Sequence, residues 1–220
     1  MSLRSPGTTD VMPVPAPMLA VIGLLPGPDS EGDYAFEPLW NGARVIARFP
    51  GNGTVQLWSQ MATDVTAGYP ELVEELPALV PTGLPALLDG EIVVLDGAGR
   101  PSFEWLQQRM SLHHPAAVEQ VRHRTPVRLM LYDVLHLGDP VLHIPYLARR
   151  ELLDDLQLVS EHVQAPAFWP GMGTEAFAQA VREGWDGVVA KRLASPYLPG
   201  RRSRDWIKIK SFPSRRAPDA

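Results

Sequence analysis

Leu87-Leu88-Asp89-Gly90-Glu91-Ile92-Val93-Val94 sets two carboxylates and a glycine inside an otherwise apolar run. The length of that run fits a buried strand. Charge in such a strand is costly unless it is paired or put to use. Other apolar runs are interrupted in the same way. Tyr132-Asp133 sits between Leu129-Met130-Leu131 and Val134-Leu135, Lys191 closes Asp186-Gly187-Val188-Val189-Ala190-Lys191, and Lys208 alternates with Lys210 through Ile209. Period-two geometry puts Trp206, Lys208 and Lys210 on one face of a strand, with Ile207 and Ile209 opposite. Two ammonium groups on one face repel each other and call for an anion between them. Taken singly, each cluster also reads as a strand end, a surface ion pair or a solvated edge lysine. Four in one chain weigh against that plainer reading.

Working outward, short β-rich runs precede this stretch at Tyr34–Trp40, Ala43–Phe49 and Thr54–Ser59. Pro50-Gly51-Asn52-Gly53 joins the last two, a hairpin signal because Gly and Asn accept positive φ at little cost. Arg128–Leu137, Gly187–Leu193 and Trp206–Lys210 read as further strands, and helical patterns fall at Pro70–Leu79, Ser102–Met110, Leu147–Gln157 and Thr174–Glu183. In Leu147–Gln157, Leu152, Leu153 and Leu156 share a face, with charges opposite. The first 16 residues, punctuated by Pro13 and Pro15, read as an N-terminal arm. The expected fold class is α+β with mainly antiparallel pairing, because its strands often neighbour in sequence.

The 220 residues carry 20 Lys+Arg against 25 Asp+Glu, a formal charge of −5. That balance excludes a strongly basic nucleic-acid-coating protein but leaves room for a local basic face. The charge is unevenly placed: residues 1–186 hold 11 basic and 23 acidic groups, residues 187–220 hold 9 and 2. All three lysines, Lys191, Lys208 and Lys210, lie in the basic C-terminal segment. With no cysteine, disulfide scaffolds, thiolate metal sites and cysteine nucleophiles drop out. The N-terminus lacks a basic stretch followed by an apolar one, and no apolar run reaches the roughly 18 residues of a membrane span. The expectation is a soluble, cytoplasmic protein with no membrane partner.

In order along the chain, these segments resemble the adenylation (nucleotidyltransferase) domain of ATP-dependent DNA ligases, especially the bacterial end-joining type. Phe36-Glu37-Pro38-Leu39-Trp40-Asn41-Gly42-Ala43-Arg44 is similar to the first motif, whose pattern is Glu-x-Lys-x-Asp-Gly-x-Arg. Leu88–Val93, Leu131–Leu135, Asp186–Lys191 and Trp206–Lys210 resemble the later motifs, and Leu57–Gln60 with Asp64-Val65-Thr66 a segment between. Pro145 with Arg149-Arg150-Glu151-Leu152-Leu153 fits the family's link as well. The resemblance covers residues 17–212 and leaves 213–220 as a tail. It implies two packed, mainly antiparallel sheets flanked by helices, with a nucleotide cleft between them. It also implies ATP and Mg²⁺ as cofactors and nicked or broken DNA as partner. The family reaction passes AMP from ATP to a lysine, then to a DNA 5′-phosphate, and finally seals the nick. Carried over residue by residue, Glu37, Arg44, Glu91, Tyr132, Lys191, Lys208 and Lys210 would bind nucleotide. Glu91 would hold the ribose and Tyr132 would stack on adenine, while Glu91 and Asp186 would serve a metal. Arg201, Arg202 and Arg204 could track a nucleic-acid backbone, against a plain reading as a solvated loop.

The pattern breaks at the residue on which the family chemistry turns. Leu39 stands where the nucleophilic lysine belongs, and an alkyl chain cannot attack phosphorus. Asn41 replaces an aspartate, Gln60 an arginine expected to bind the nick 5′-phosphate, and Asp186 a glutamate. Changes spread over several motifs fit drift after loss of catalysis. Only ten residues follow Lys210, whereas active relatives carry an oligonucleotide-binding barrel there. The chain is therefore expected to be truncated or to take that module from a partner, end-joining repair proteins being the other partners implied.

Three functional readings result. The first is a nucleotide- or DNA-binding pseudoenzyme in DNA repair. The second is a working nucleotidyltransferase that uses another lysine or pre-adenylated DNA. The third is a purely structural interaction module. His113-His114 reads as surface helix-loop rather than a metal site, and the six tryptophans as core anchors rather than stacking platforms.

Overall fold

The computed structural model describes residues 12–112 and 114–211. Residues 1–11 of the arm, His113 and the tail with Arg215-Arg216 lie outside the described residues. In chain order the strands are β1 (Leu19–Ile22), β2 (Tyr34–Pro38), β3 (Ala43–Phe49), β4 (Gln56–Ser59), β5 (Ala86–Val93), β6 (Arg128–Leu137), β7 (Asp139–Pro140), β8 (Val163–Gln164), β9 (Trp169–Pro170), β10 (Gly187–Arg192) and β11 (Arg202–Lys210). The helices are α1 (Pro28–Glu31), α2 (Pro70–Leu79), α3 (Phe103–Met110), α4 (Pro115–Arg122), α5 (Tyr146–Asp155) and α6 (Gly173–Glu183). None of them is long and apolar enough to cross a membrane.

Two sheets form, as expected for an α+β domain of this kind. One has the order β1-β11-β10-β2-β9, the other β4-β3-β5-β6-β7 with β8 beside β6. Pairing is antiparallel except for β1 with β11 and β6 with β8. The β3–β4 hairpin closes through Gly51 and Gly53, both at positive φ.

Alternation along each strand explains the layering. On β5, Ala86, Leu88 and Ile92 enter a core shared with Leu72 and Leu76 of α2, Leu106 of α3 and Leu153 of α5. Leu87, on the opposite face, joins Ile46, Leu135, Tyr197 and Trp206 in a second cluster between the sheets. Asp89 and Glu91 lie on that same face, so the carboxylates of the opening stretch point at the other sheet. In the first sheet, Phe36, Val188, Ala190 and Ile209 pack under α6, whose Ala176 and Ala180 let the helix sit close. The alternate residues Glu37, Val189, Lys191 and Lys208 face the cleft. Burying an aliphatic side chain in such a core contributes about 1.5–3 kcal/mol, so both sheets are fixed by their apolar faces.

The structure adds detail that periodicity does not carry. β1 lies in a stretch left unassigned by pattern. Arg202 and Arg204 belong to β11 rather than to a loop, because β11 starts four residues before Trp206. Met12 and Val14 pack against the inter-sheet cluster, and the Arg48 guanidinium donates to the Met12 carbonyl at 3.2 Å. His114 occupies the N-cap position of α4 without a capping hydrogen bond from its side chain.

Candidate nucleotide cleft

A cavity of about 350 Å³ opens between the two sheets. Its walls include Glu37, Leu39, Trp40, Asn41 and Gly42 from β2 and the turn after it, together with Arg44 of β3, Gln60 and Glu91. Tyr132, Val189, Lys191, Arg202, Trp206 and Lys208 complete it. Segments far apart in sequence thus converge on one site.

Local backbone geometry sets this convergence. A Cβ on Gly42 would lie 2.3 Å from the Ile92 carbonyl oxygen, so only glycine lets the turn press against β5. At that contact the Gly42 N–H donates to Glu91 Oε1 at 3.1 Å. Gly187 has φ of +137°, and its carbonyl accepts from the Leu39 N–H at 2.9 Å, which ties the turn to β10. Between β5 and β6, Asp89 pairs with Asp133 and Gly90 with Leu131. Tyr132 is the extra residue of this bulge, a device that re-aims a side chain, and its ring joins the cleft wall.

Half of the charged groups that line the site are ion-paired within the protein. Arg44 donates from Nε and Nη2 to the two Asp89 oxygens, both at 2.6 Å, and Tyr197 donates to Asp89 as well. Its guanidinium carbon lies 4.8 Å from the Tyr132 ring centre. Burial alone would weaken that charge, but Asp89 and its neighbours hold the Arg44 pKa well above the ordinary value. Lys191 is buried, with Nζ 2.6 Å from Glu37 Oε2 and 4.4 Å from the ring centres of both Tyr132 and Trp206. Burial pushes the Lys191 pKa down, against the pull of Glu37 and Asp133. Tyr146 and Arg150 of α5 also converge on Glu37. Lys208 is partly exposed, and burial lowers its pKa against the attraction of Glu91. The Trp206 indole N–H is buried without a hydrogen-bond partner among the described residues.

Glu91 is the acidic group in the cleft that lacks an ion-pair partner among the described residues. Burial raises its pKa, opposed by Arg44 and Lys208. A carboxylate whose folded pKa is raised contributes stability that is fully present below its unfolded pKa and is lost as pH rises through the folded one. Glu91→Gln keeps an acceptor for Gly42 and removes that liability. The variant should therefore melt above the parent chain at pH 7–8, and the gap should close near pH 4. A melting-temperature series across that range checks it.

Of the residues singled out by sequence, Glu37, Leu39, Asn41, Arg44, Gln60, Glu91, Tyr132, Lys191, Arg202 and Lys208 come together here. Lys210, Asp186, Arg201 and Arg204 do not line the cavity. Asp186 is exposed and, unlike Glu91, lies outside the cavity lining. Trp206 is buried and lines the cavity, whereas Trp105 is 41% exposed. The sequence reading missed Asp89, Tyr146 and Arg150 as partners of the site. Their signals were a carboxylate inside an apolar run and an i, i+4 pair on α5 facing the sheets.

An architecture of two sheets around a charged cleft, bearing these ordered clusters, defines a class of nucleotidyltransferase-like domain. The model for the ATP dependent DNA ligase domain matches residues 27–210, and the chain belongs to that family. It is similar to the multifunctional non-homologous end joining DNA repair protein LigD of Mycobacterium tuberculosis, at 38% identity over 198 residues. That match takes in 90% of this chain and 24% of LigD. DNA ligase C1 of Mycolicibacterium smegmatis is 37% identical over 209 residues, 91% of this chain and 57% of that one. The chain thus spans about a quarter and somewhat over half of these relatives' lengths. Among solved structures, mycobacterial DNA ligase D complexed with ATP and MES superposes with a TM-score of 0.73 at 37% identity, covering 89% of this chain and 60% of that one.

Proposed function

We propose that this domain keeps the nucleotide cleft of the ATP-dependent DNA ligases, cannot adenylate itself, and acts as a nucleotide- and DNA-binding module in end-joining repair. The observation that carries the reading is Leu39. It lines the cleft and is 7% exposed, and the resemblance of Glu37–Arg44 to the family's first motif supports reading it in the place of the nucleophilic lysine. A hydrocarbon there has no lone pair to offer the α-phosphate, and no neighbouring base can supply one. The similarity to ligase D, solved with ATP, supports ATP as the nucleotide.

The residues present fit a nucleotide. Tyr132 supplies an aromatic wall, and Arg202 and Lys208 offer positive charge. Glu91 is the carboxylate positioned to help hold Mg²⁺, which is often bound by one or two carboxylates plus phosphate oxygens. When bound, the ion would offset phosphate charge. Lys210 and Asp186, at the edge of the site, would act on ligand that extends beyond the cavity. Arg201, just before β11, and Arg202 and Arg204 at its start would meet the nucleic-acid backbone.

Leu39→Lys by itself should restore little. Asn41 and Gln60 line the same cavity and differ from the family pattern too. The single variant is expected to form the AMP adduct about 100-fold less than one that also carries Asn41→Asp, the scale on which lost charge-stabilising contacts slow such chemistry, while Gln60→Arg should act on the later, nick-dependent steps. Labelled-adduct gels compare the two, and efficient ligation by Leu39→Lys alone would show that the other changes are neutral.

A second reading, an active enzyme with a relocated nucleophile, is favoured by one observation. Lys191 and Lys208 both line the cleft with lowered pKa values. Against it, Lys191 is held by Glu37 inside an aromatic box, and a new nucleophile needs its own in-line approach. Peptide mapping after incubation with ATP separates the readings, because a relocated nucleophile leaves AMP on Lys191 or Lys208.

A further inference from the structure

We propose that the cleft selects a nucleoside monophosphate over a nucleoside triphosphate, an inference that rests on the nucleotide-binding reading above and narrows it. Of the four cations lining the cavity, Arg44 is committed to Asp89 through two 2.6 Å contacts and Lys191 to Glu37 through one. Those two pairs cancel. Arg202 and Lys208 remain, and neither has a carboxylate within ion-pair distance among the described residues. Arg202 spends one N–H on the Ala20 carbonyl and keeps the rest. Against these two cations stands Glu91, unpaired and in the same cavity.

The uncommitted groups therefore match a single phosphate group, which carries about −1.5 to −2 at neutral pH. Each further phosphate brings negative charge that nothing in the cavity answers and that Glu91 repels. Leu39, which faces the same space, adds no charge. The cations that could answer a longer chain, Lys210, Arg201 and Arg204, lie outside the cavity lining. A triphosphate would need a divalent ion to enter on equal terms, whereas a monophosphate would not.

Calorimetric titration of the full chain with AMP and with ATP, each first in EDTA and then in MgCl2, tests this directly. In EDTA, AMP should bind at least tenfold more tightly than ATP, and Mg²⁺ should narrow the difference by improving ATP. Lys208→Ala should weaken AMP about tenfold, and Glu91→Gln should improve ATP in EDTA more than it improves AMP. ATP in EDTA binding as tightly as AMP, or more tightly, would overturn the selectivity while leaving nucleotide binding intact. Absence of binding by either nucleotide in either condition would overturn both. The wild-type comparison decides the matter even if a variant fails to fold.

Discussion

Replacing Asp133 by asparagine is expected to destabilise the domain by about 3–5 kcal/mol, because it leaves a buried guanidinium without its counter-charge. Asp133 and Arg149 are both fully buried, with Arg149 Nε and Nη2 donating to the two carboxylate oxygens at 2.7 and 3.0 Å. Arg149 also donates to the carbonyls of Ile144 and Ser195, so it joins α5 to the segment after β10 as well as to β6. An arginine cannot shed its proton to escape a buried, unpaired state. Its partner can gain one: burial already pushes the Asp133 pKa up, against Arg149. The reciprocal variant Arg149→Met should therefore cost less, and its cost should shrink on acidification as Asp133 takes up a proton. Urea denaturation at pH 7 and pH 5 measures both, and an Asp133→Asn loss within about 1 kcal/mol of zero would contradict the pair's role. The consequence reaches function, because Asp133 adjoins Tyr132 and fixes the bulge that turns its ring into the cleft.

Glu37→Gln should cost about 2–3 kcal/mol near pH 7, and the loss should fall as pH rises. Lys191 is 2% exposed and relies on Glu37 for its counter-charge, with Arg150 3.5 Å from the same carboxylate. Without that anion the ammonium has a way out that arginine lacks, since burial already depresses its pKa. In the variant the folded state would hold a neutral amine while the unfolded chain stays protonated. The folded state then binds fewer protons, so stability increases with pH until the unfolded lysine also deprotonates, near pH 10. Urea midpoints of parent and variant at pH 7 and about pH 9.5 give the comparison. A gap that stays constant or widens would place the charge of Lys191 elsewhere.

Much of this was legible in the sequence. β3, β6 and α2 run over the residues that the apolar pattern marks, because each buries one face against a continuous core. The cleft residues Glu91, Tyr132, Lys191 and Lys208 were legible as charge or polarity inside apolar runs, whereas Glu37 and Arg44 were legible only through the resemblance of Phe36–Arg44 to the family's first motif. What alternation fixes is a face, not a position along the strand. Lys210 lies two residues beyond Lys208, about 6–7 Å further along, which takes it to the strand's end opposite Gly187 and out of the cavity. The pairings were not legible, since Lys191 with Glu37 and Arg44 with Asp89 join distant segments that only the sheet register brings together. Nor was the bulge at Tyr132, which depends on how β5 and β6 slip past each other. These unseen pairings decide how much positive charge the cleft has left for a ligand.

The proposed cleft would bind nucleotide next to Leu39, a residue that cannot accept AMP. Incubation of the chain with α-labelled ATP and Mg²⁺, followed by denaturation and gel separation, tests it most directly. The predicted result is no label retained on the protein, while calorimetry on the same preparation records nucleotide binding. An AMP adduct that survives denaturation would contradict it.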